Sequence, residues 1–101
     1  MRVLYKEDND SLVISLCGEL DHHFASEIKS KIDKKLKSGS VKSVVLDMKG
    51  VDFIDSSAIG FIIGRYKVAR QNNSSLKIIN ASPKIKRILD MSGIGKIIKI
   101  S

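Results

Sequence analysis

An aspartate and two serines stand side by side near the middle of the chain, directly before an apolar segment. The stretch FIDSSAIGFIIG contains Asp55, Ser56 and Ser57. All three residues suit the N-cap of a helix, where a side-chain oxygen accepts a hydrogen bond from a free backbone N–H group. A helix needs only one cap. If Asp55 or Ser56 is the cap, Ser57 keeps a hydroxyl at an exposed loop-to-helix corner.

A serine hydroxyl at a helix start could also carry a phosphate. Free N–H groups and the positive end of the helix dipole stabilise a negative group there, so the fold would tolerate the modification. The same phosphate, beside Asp55, would repel a partner built to accept a neutral serine. The residues alone leave two interpretations of Ser57 open, a helix-start hydroxyl without further role or a phosphorylation switch that acts on an interface.

The residue types that carry enzymatic or metal chemistry are sparse. Ser57, His22 or His23 and an aspartate could in principle form a hydrolytic triad. However, DSSAIG lacks the G-x-S-x-G elbow that presents a nucleophile. Cys17 and the histidine pair have no recognisable metal-ligand spacing, and the chain has no P-loop. We therefore expect no catalysis, no metal and no cofactor.

The composition indicates one folded domain. The chain has 101 residues, of which 43% are hydrophobic, and a single proline, so we expect one domain over residues 1–101. No apolar run approaches the roughly 20 residues of a membrane span, and the first ten residues turn acidic where a signal peptide would be apolar. We expect a cytoplasmic protein with no membrane partner. The single cysteine, Cys17, fits a reducing compartment, and its apolar surroundings predict a small buried side chain.

The net charge of +7 raises the question of nucleic acid. The lysines of residues 29–37 interleave with Ile28, Ile32 and Leu36, which predicts a solvated helix face above a core stripe. Aromatic stacking groups are few and scattered. We therefore expect no direct binding of nucleic acid.

Hydrophobic periodicity and turn residues predict alternating strands and helices. The predicted elements are strands at 2–7 and 11–19, a helix from Asp21 or His22 to Lys37, a strand at 41–48, a helix at 58–70, a strand at 75–80, a helix between Ser82 and Gly93, and a strand at 96–100. The first helix buries Phe24, Ile28, Ile32 and Leu36. This alternation predicts an α/β fold, a mixed β-sheet of four to five strands with helices packed against it.

Functional loops in such folds gather beyond the carboxyl ends of the parallel strands. GELDHH at 18–23 and VDFIDSS at 51–57 both follow predicted strands, so we expect them to meet in space. The acids of these segments should make this end of the fold locally acidic: Glu19, Asp21, Asp47, Asp52 and Asp55.

At these same segments the chain resembles a known family. GELDHH, FIDSSAIGFIIGRYK at 53–67 and SPKIKRILDMSGIGKII at 82–98 closely resemble the anti-sigma factor antagonists, which are single STAS domains. The resemblance runs through almost the whole chain in one register. DHH and GRYK favour the sporulation type over a general-stress antagonist paired with a different sigma factor.

The resemblance implies a regulatory protein that switches partners. In this family the unphosphorylated form binds an anti-sigma factor that is also a serine kinase, and the sigma factor is displaced. The kinase phosphorylates the second serine of the motif, here Ser57, and a PP2C-type serine phosphatase reverses the modification. Ser57 is thus implied to be a substrate residue. We expect such a protein to act as a monomer.

The resemblance also implies a docking surface around Ser57. Asp55 and Ser56 would shape the corner, and Asp21 with its neighbours would extend the surface. Gly60 and Gly64 lie four residues apart on the second helix and would allow either the partner or the sheet to approach the backbone closely.

The chain departs from the family pattern in two places. Ala58 stands where many members have glycine, and members generally continue after the last strand into another helix, for which no residues follow Ser101. Without that helix, apolar sheet surface would be exposed. The alternative function is a STAS scaffold or ligand-sensing module in a larger signalling assembly.

Overall fold

The computed structural model describes residues 2–101 and contains one five-stranded sheet with three α-helices. The elements in chain order are β1 (Arg2–Asp8), β2 (Ser11–Leu20), α1 (His22–Lys37), β3 (Ser43–Ile54), α2 (Ser56–Gln71), β4 (Ser75–Ile79), α3 (Pro83–Met91), a short 3₁₀ turn (Ile94–Lys96) and β5 (Lys99–Ile100). The predicted α/β class and number of strands are confirmed.

The sheet is mixed, and its strands lie in chain order from β1 to β5. β1 pairs antiparallel with β2, whereas β2, β3, β4 and β5 pair in parallel. Each parallel connection therefore crosses to the next strand in the same direction. Because such crossovers are almost always right-handed, the three helices come to lie on one face of the sheet. The buried side chains of sheet and helices accordingly form one core cluster.

Alternation along β2 decides which side chains enter this core. Leu12, Ile14 and Leu16 are buried, as the sequence predicts, while Val13 and Ser15 lie half-buried on the opposite face. In α1 the buried positions are Ala25, Ile28, Ile32 and Leu36. The predicted place of Phe24 is wrong in part, since its ring is only half-buried and packs at the margin of the core.

Several predicted boundaries also need correction. β3 begins at Ser43 and continues to Ile54, so most of the segment predicted as a loop at 51–57 is strand. α2 begins two residues before the predicted start, at Ser56. The predicted strand at 96–100 is reduced to Lys99–Ile100, because a 3₁₀ turn occupies Ile94–Lys96.

Cys17 is exposed, so the prediction of a buried cysteine is wrong. The side chain belongs to the face of β2 opposite the core residues, and the pairing with β3 shifts register between Ser15 and Cys17. Cys17 therefore lies on the helix-free face beside Gly50, where a Cβ atom would come within 2.9 Å of its sulfur.

We expect Cys17 to react with an excess of a thiol reagent such as Ellman's reagent without denaturant, to one thiol per chain. The rate should lie within about tenfold of that of the unfolded chain, because exposure is a main control of thiol reactivity. Absorbance of the released thiolate measures the reaction, and Cys17→Ser is the blank. A thiol that reacts only in denaturant would contradict its placement on the open face.

Candidate functional site

The starts of α1 and α2 lie side by side. β2 and β3 pair in parallel up to Leu20 and Ile54, so the chain leaves both strands at the same edge of the sheet. Asp21 then caps α1, its Oδ1 accepting a hydrogen bond from the Phe24 N–H at 2.9 Å. Asp55 caps α2 in the same way, with its Oδ1 3.1 Å from the Ala58 nitrogen. Two neighbouring helices thus begin with equivalent aspartate caps.

Asp55 also ties the two helix starts together. Its second carboxylate oxygen, Oδ2, accepts a hydrogen bond from the backbone N–H of His22 at 3.3 Å. The segments GELDHH and VDFIDSS therefore meet, as the sequence predicts. Ser56 is exposed at the first position of α2, next to this junction.

Ser57 lies in the first turn of α2 and takes no part in these capping hydrogen bonds. Its side chain is half-buried and faces a groove of about 220 Å³ between α1 and α2. The groove is lined by His22, Ala25, Ser26 and Lys29 from α1 and by Ser57, Gly60, Phe61 and Arg65 from α2. Ser57 is thus a hydroxyl at the mouth of an interhelical groove rather than a second cap.

The charged side chains that line this groove are basic, and the predicted acidic character holds only at its margin. Asp21 and Asp55 use their carboxylates as caps, whereas Lys29 and Arg65 face the groove. Asp47 is not part of the corner. It lies in the middle of β3, where its carboxylate accepts a hydrogen bond from the side-chain amide of Asn80 at 3.1 Å.

Arg65 contributes a buried side chain to the lining of the groove. Its side chain is only 5% exposed, and its Nε lies 2.7 Å from Oδ1 of Asp33, whose side chain is 14% exposed. The contact is a close ion pair between two largely buried side chains. Burial lowers the pKa of the Arg65 guanidinium, and the facing Asp33 carboxylate acts in the opposite direction. This pair links α1 to α2 within the helical layer.

The glycines of α2 have open space beside them. A Cβ atom added at Gly60 or Gly64 would have no neighbour within 4 Å. The sheet therefore does not approach either glycine closely, which removes one of the two explanations that the sequence left open. Ala58 is fully buried, so the residue that departs from the family pattern faces the core and not the groove.

The α1 side of the groove contains residues that the sequence motifs do not mark as functional. His22, Ser26, Lys29 and Asp33 are spaced by four, three and four residues and so lie on one helix face. This spacing is a signal for a shared face, whereas the lysine-rich composition of the segment predicts only a solvated surface. Lys31 and Lys34 are indeed exposed, as that interpretation expects.

The fold offers no metal cluster at this site. Within residues 2–101, no group of three or more His, Cys, Asp or Glu side chains is arranged to hold a metal ion. In the same part of the chain, no helix has the length and apolar character needed to span a membrane.

Removal of the two capping aspartates should lower the free energy of unfolding by different amounts. Asp21→Ala is expected to lower the free energy of unfolding by about 1 kcal/mol, the usual cost of losing an N-cap. Asp55→Ala should cost about 1 kcal/mol more, because the His22 N–H loses its partner as well. Urea unfolding followed by circular dichroism measures both, and equal losses would mean that the Asp55–His22 contact adds nothing to stability.

Comparison with known proteins connects this site to a family. The family model described as STAS domain matches residues 2–101. An anti-sigma F factor antagonist from Paenibacillus polymyxa is 37% identical over 89 residues, which cover 88% of this chain and 76% of that protein. The solved structures of SpoIIAA in unphosphorylated and phosphorylated forms are each 27% identical and cover 99% of this chain. Their TM-scores are 0.87 and 0.80, over 88% and 91% of their own chains.

Proposed function

The chain belongs to the STAS domain family, and we propose that it acts as an anti-sigma factor antagonist whose binding is switched by phosphorylation of Ser57. In its unphosphorylated form the chain binds an anti-sigma factor and frees the sigma factor. The partner is also the serine kinase that phosphorylates Ser57, and a PP2C-type phosphatase restores the binding form. The similarity to an anti-sigma F factor antagonist and to SpoIIAA in two phosphorylation forms supports this proposal.

One observation about the site carries the assignment of Ser57. Asp55 alone supplies the side-chain cap of α2, because its carboxylate accepts a hydrogen bond from the Ala58 N–H. The same carboxylate accepts a second hydrogen bond from the His22 N–H of α1. The hydroxyl of Ser57 is therefore not needed to hold the corner, and it faces a groove that is open to solvent. A kinase can modify such a hydroxyl without first unfolding the helix start.

The docking surface that we propose surrounds this hydroxyl. Asp21, Asp55 and Ser56 form the rim at the two helix starts, and Gly60 and Gly64 continue along α2. Because no atom outside the adjoining backbone of α2 lies within 4 Å of an added Cβ at either glycine, a segment of the partner can approach the helix backbone there.

The phosphate acts on binding through charge and solvation. A phosphoserine carries about −1.5 to −2 charges at pH 7, and it needs water or cations around its oxygens. A partner surface that fits a neutral serine in contact with Asp55 would have to accommodate this charge in a dehydrated interface. The fold itself tolerates the phosphate, since position 57 lies in the first turn of α2 at the positive end of its dipole.

A kinase reaction tests the proposal. The chain is incubated with ATP and an anti-sigma factor that has serine kinase activity, and the added phosphate is mapped by mass spectrometry. Wild type and Ser56→Ala should each gain one phosphate on Ser57, whereas Ser57→Ala should gain none. Ser56→Ala is a matched control because it removes the neighbouring exposed hydroxyl.

Two results would contradict the proposal. Phosphate transfer to Ser56 instead of Ser57 would move the switch by one residue. No transfer at all, from a kinase that is active on a control substrate, would leave Ser57 as a helix-start hydroxyl and favour a scaffold or sensor role for the domain.

A further inference from the structure

The groove between α1 and α2 determines what a phosphate on Ser57 would meet within its own chain. Ser57 stands at the mouth of the groove, and the side facing it is α1, with His22, Ser26 and Lys29 along the wall. The Ser26 hydroxyl already donates to the backbone oxygen of His22 at 2.9 Å, so the ammonium of Lys29 is the α1 group that can donate to a phosphate. A phosphate that enters this groove would lie between α1 and α2, with Lys29 on the α1 side.

Lys29 is the cation of this wall that is available to a new partner. Its ammonium makes no ion pair within residues 2–101 of the structure, whereas Lys35 of the same helix is paired with Glu7 at 2.8 Å. Lys29 is exposed and has a flexible stem, so its ammonium can move toward the mouth of the groove without loss of packing. Arg65 lies deeper and is already committed to Asp33 through its Nε.

The acids near the groove oppose a second negative charge but are already engaged. The carboxylate of Asp55 accepts from two backbone N–H groups, and that of Asp21 accepts from one. Asp33 faces Arg65. The basic groups around the phosphate are His22, Lys29 and Arg65, and the acidic groups are Asp21, Asp55 and Asp33. Arg65 is paired with Asp33, which leaves Lys29 as the ammonium that faces the groove without a carboxylate partner within residues 2–101.

We propose that the groove between α1 and α2 receives the phosphate of phosphoserine 57 and that Lys29 pairs with it. The inference rests on the proposed modification of Ser57 and adds how the modified state is held. The phosphate turns into the groove, covers Gly60 and closes the surface along α2 to a partner. Phosphorylation then blocks docking in two ways, by its charge and by filling the groove with the chain's own salt bridge.

The test is a titration of the phosphate itself. Phosphoserine is placed at position 57 during translation, so that no kinase is needed, and ³¹P NMR follows the second ionisation between pH 4 and pH 8. The same titration is made on Lys29→Gln and on Lys34→Gln. Lys34 is the matched control because it is an exposed lysine of α1 that does not line the groove.

Pairing with Lys29 should stabilise the dianion and hold its pKa down. We expect Lys29→Gln to raise the pKa of the phosphoserine by about half a unit or more, while Lys34→Gln raises it by no more than about 0.2, the effect of a screened distant charge. Equal shifts in the two variants, or none in Lys29→Gln, would overturn the proposal.

This outcome can be separated from failure of the proposed function. The phosphoserine is installed directly, so the titration gives a result whether or not any kinase recognises Ser57. A kinase that modifies Ser57 together with equal shifts in the two lysine variants would leave the switch in place and remove only the groove-bound phosphate.

Discussion

Asp33→Ala is expected to lower the free energy of unfolding by about 3 kcal/mol, near the lower end of what breaking a buried ion pair costs. The substitution leaves the guanidinium of Arg65 in a site where its side chain is 5% exposed and its Nε has no other partner. The 14% exposure of Asp33 places the loss at the lower end, because water can partly replace the carboxylate. Urea unfolding measures the change.

Two further variants separate the buried pair from ordinary surface charge. Glu27→Ala breaks the exposed contact with His23 and should cost no more than about 0.5 kcal/mol. The double replacement Asp33→Leu with Arg65→Met removes both charges and should recover most of the stability lost in Asp33→Ala. A double variant no more stable than Asp33→Ala would contradict the view that an unpaired buried charge causes the loss.

Ser57→Asp is expected to weaken binding to the anti-sigma factor by about 100-fold, whereas Ser57→Ala should bind within about threefold of wild type. A factor of 100 corresponds to about 2.7 kcal/mol, within the several kcal/mol that like charges cost at an interface. Both variants should fold. Ser57→Ala leaves the Asp55 cap of α2 in place, and the acid of Ser57→Asp lies in the first turn, where it suits the helix dipole. Isothermal titration calorimetry measures the affinities.

Ser56→Asp provides the matched control for charge at this corner. Ser56 is exposed at the first position of α2 and does not line the groove, so an added carboxylate there should weaken binding much less than at position 57. Ser57→Ala and Ser57→Asp binding equally well would place the switch elsewhere on the molecule.

The sequence was sufficient for the elements with strong local signals. The four-residue spacing of Ile28, Ile32 and Leu36 placed α1, and Asp21 and Asp55 marked the starts of two helices. Because functional loops gather at the carboxyl edge of parallel strands, the sequence also predicts that the two helix starts lie together. These predictions depend on residues that are close in sequence and on general rules of sheet topology, and both can be applied to a single sequence.

The parts that could not be predicted depend on which face of an element is covered. Cys17 lies in an apolar strand that looks buried, yet the helices cover only the opposite face of the sheet. β3 is longer than its apolar core because its second half is paired with β2 beyond the register shifts. The ion pair of Asp33 and Arg65 joins residues 32 positions apart, and no local pattern reveals such a contact.

The charge of the site also depends on side-chain direction, which the sequence does not reveal. Counting acids along the segments gave an acidic corner, but Asp21 and Asp55 are turned onto backbone N–H groups and Asp47 lies elsewhere on β3. The groove that Ser57 faces takes its charge from Lys29 and Arg65. Side-chain direction, rather than sequence proximity, therefore decides which charges a phosphate on Ser57 would meet.

Release of a sigma factor tests the central claim most directly. A fluorescently labelled sigma factor is bound to the anti-sigma factor, and its release is followed by anisotropy as this chain is added with or without phosphoserine at position 57. The account predicts stoichiometric release by the unmodified chain and none by the phosphorylated chain at the same concentration. Equal release by both forms, or release by neither, would contradict it.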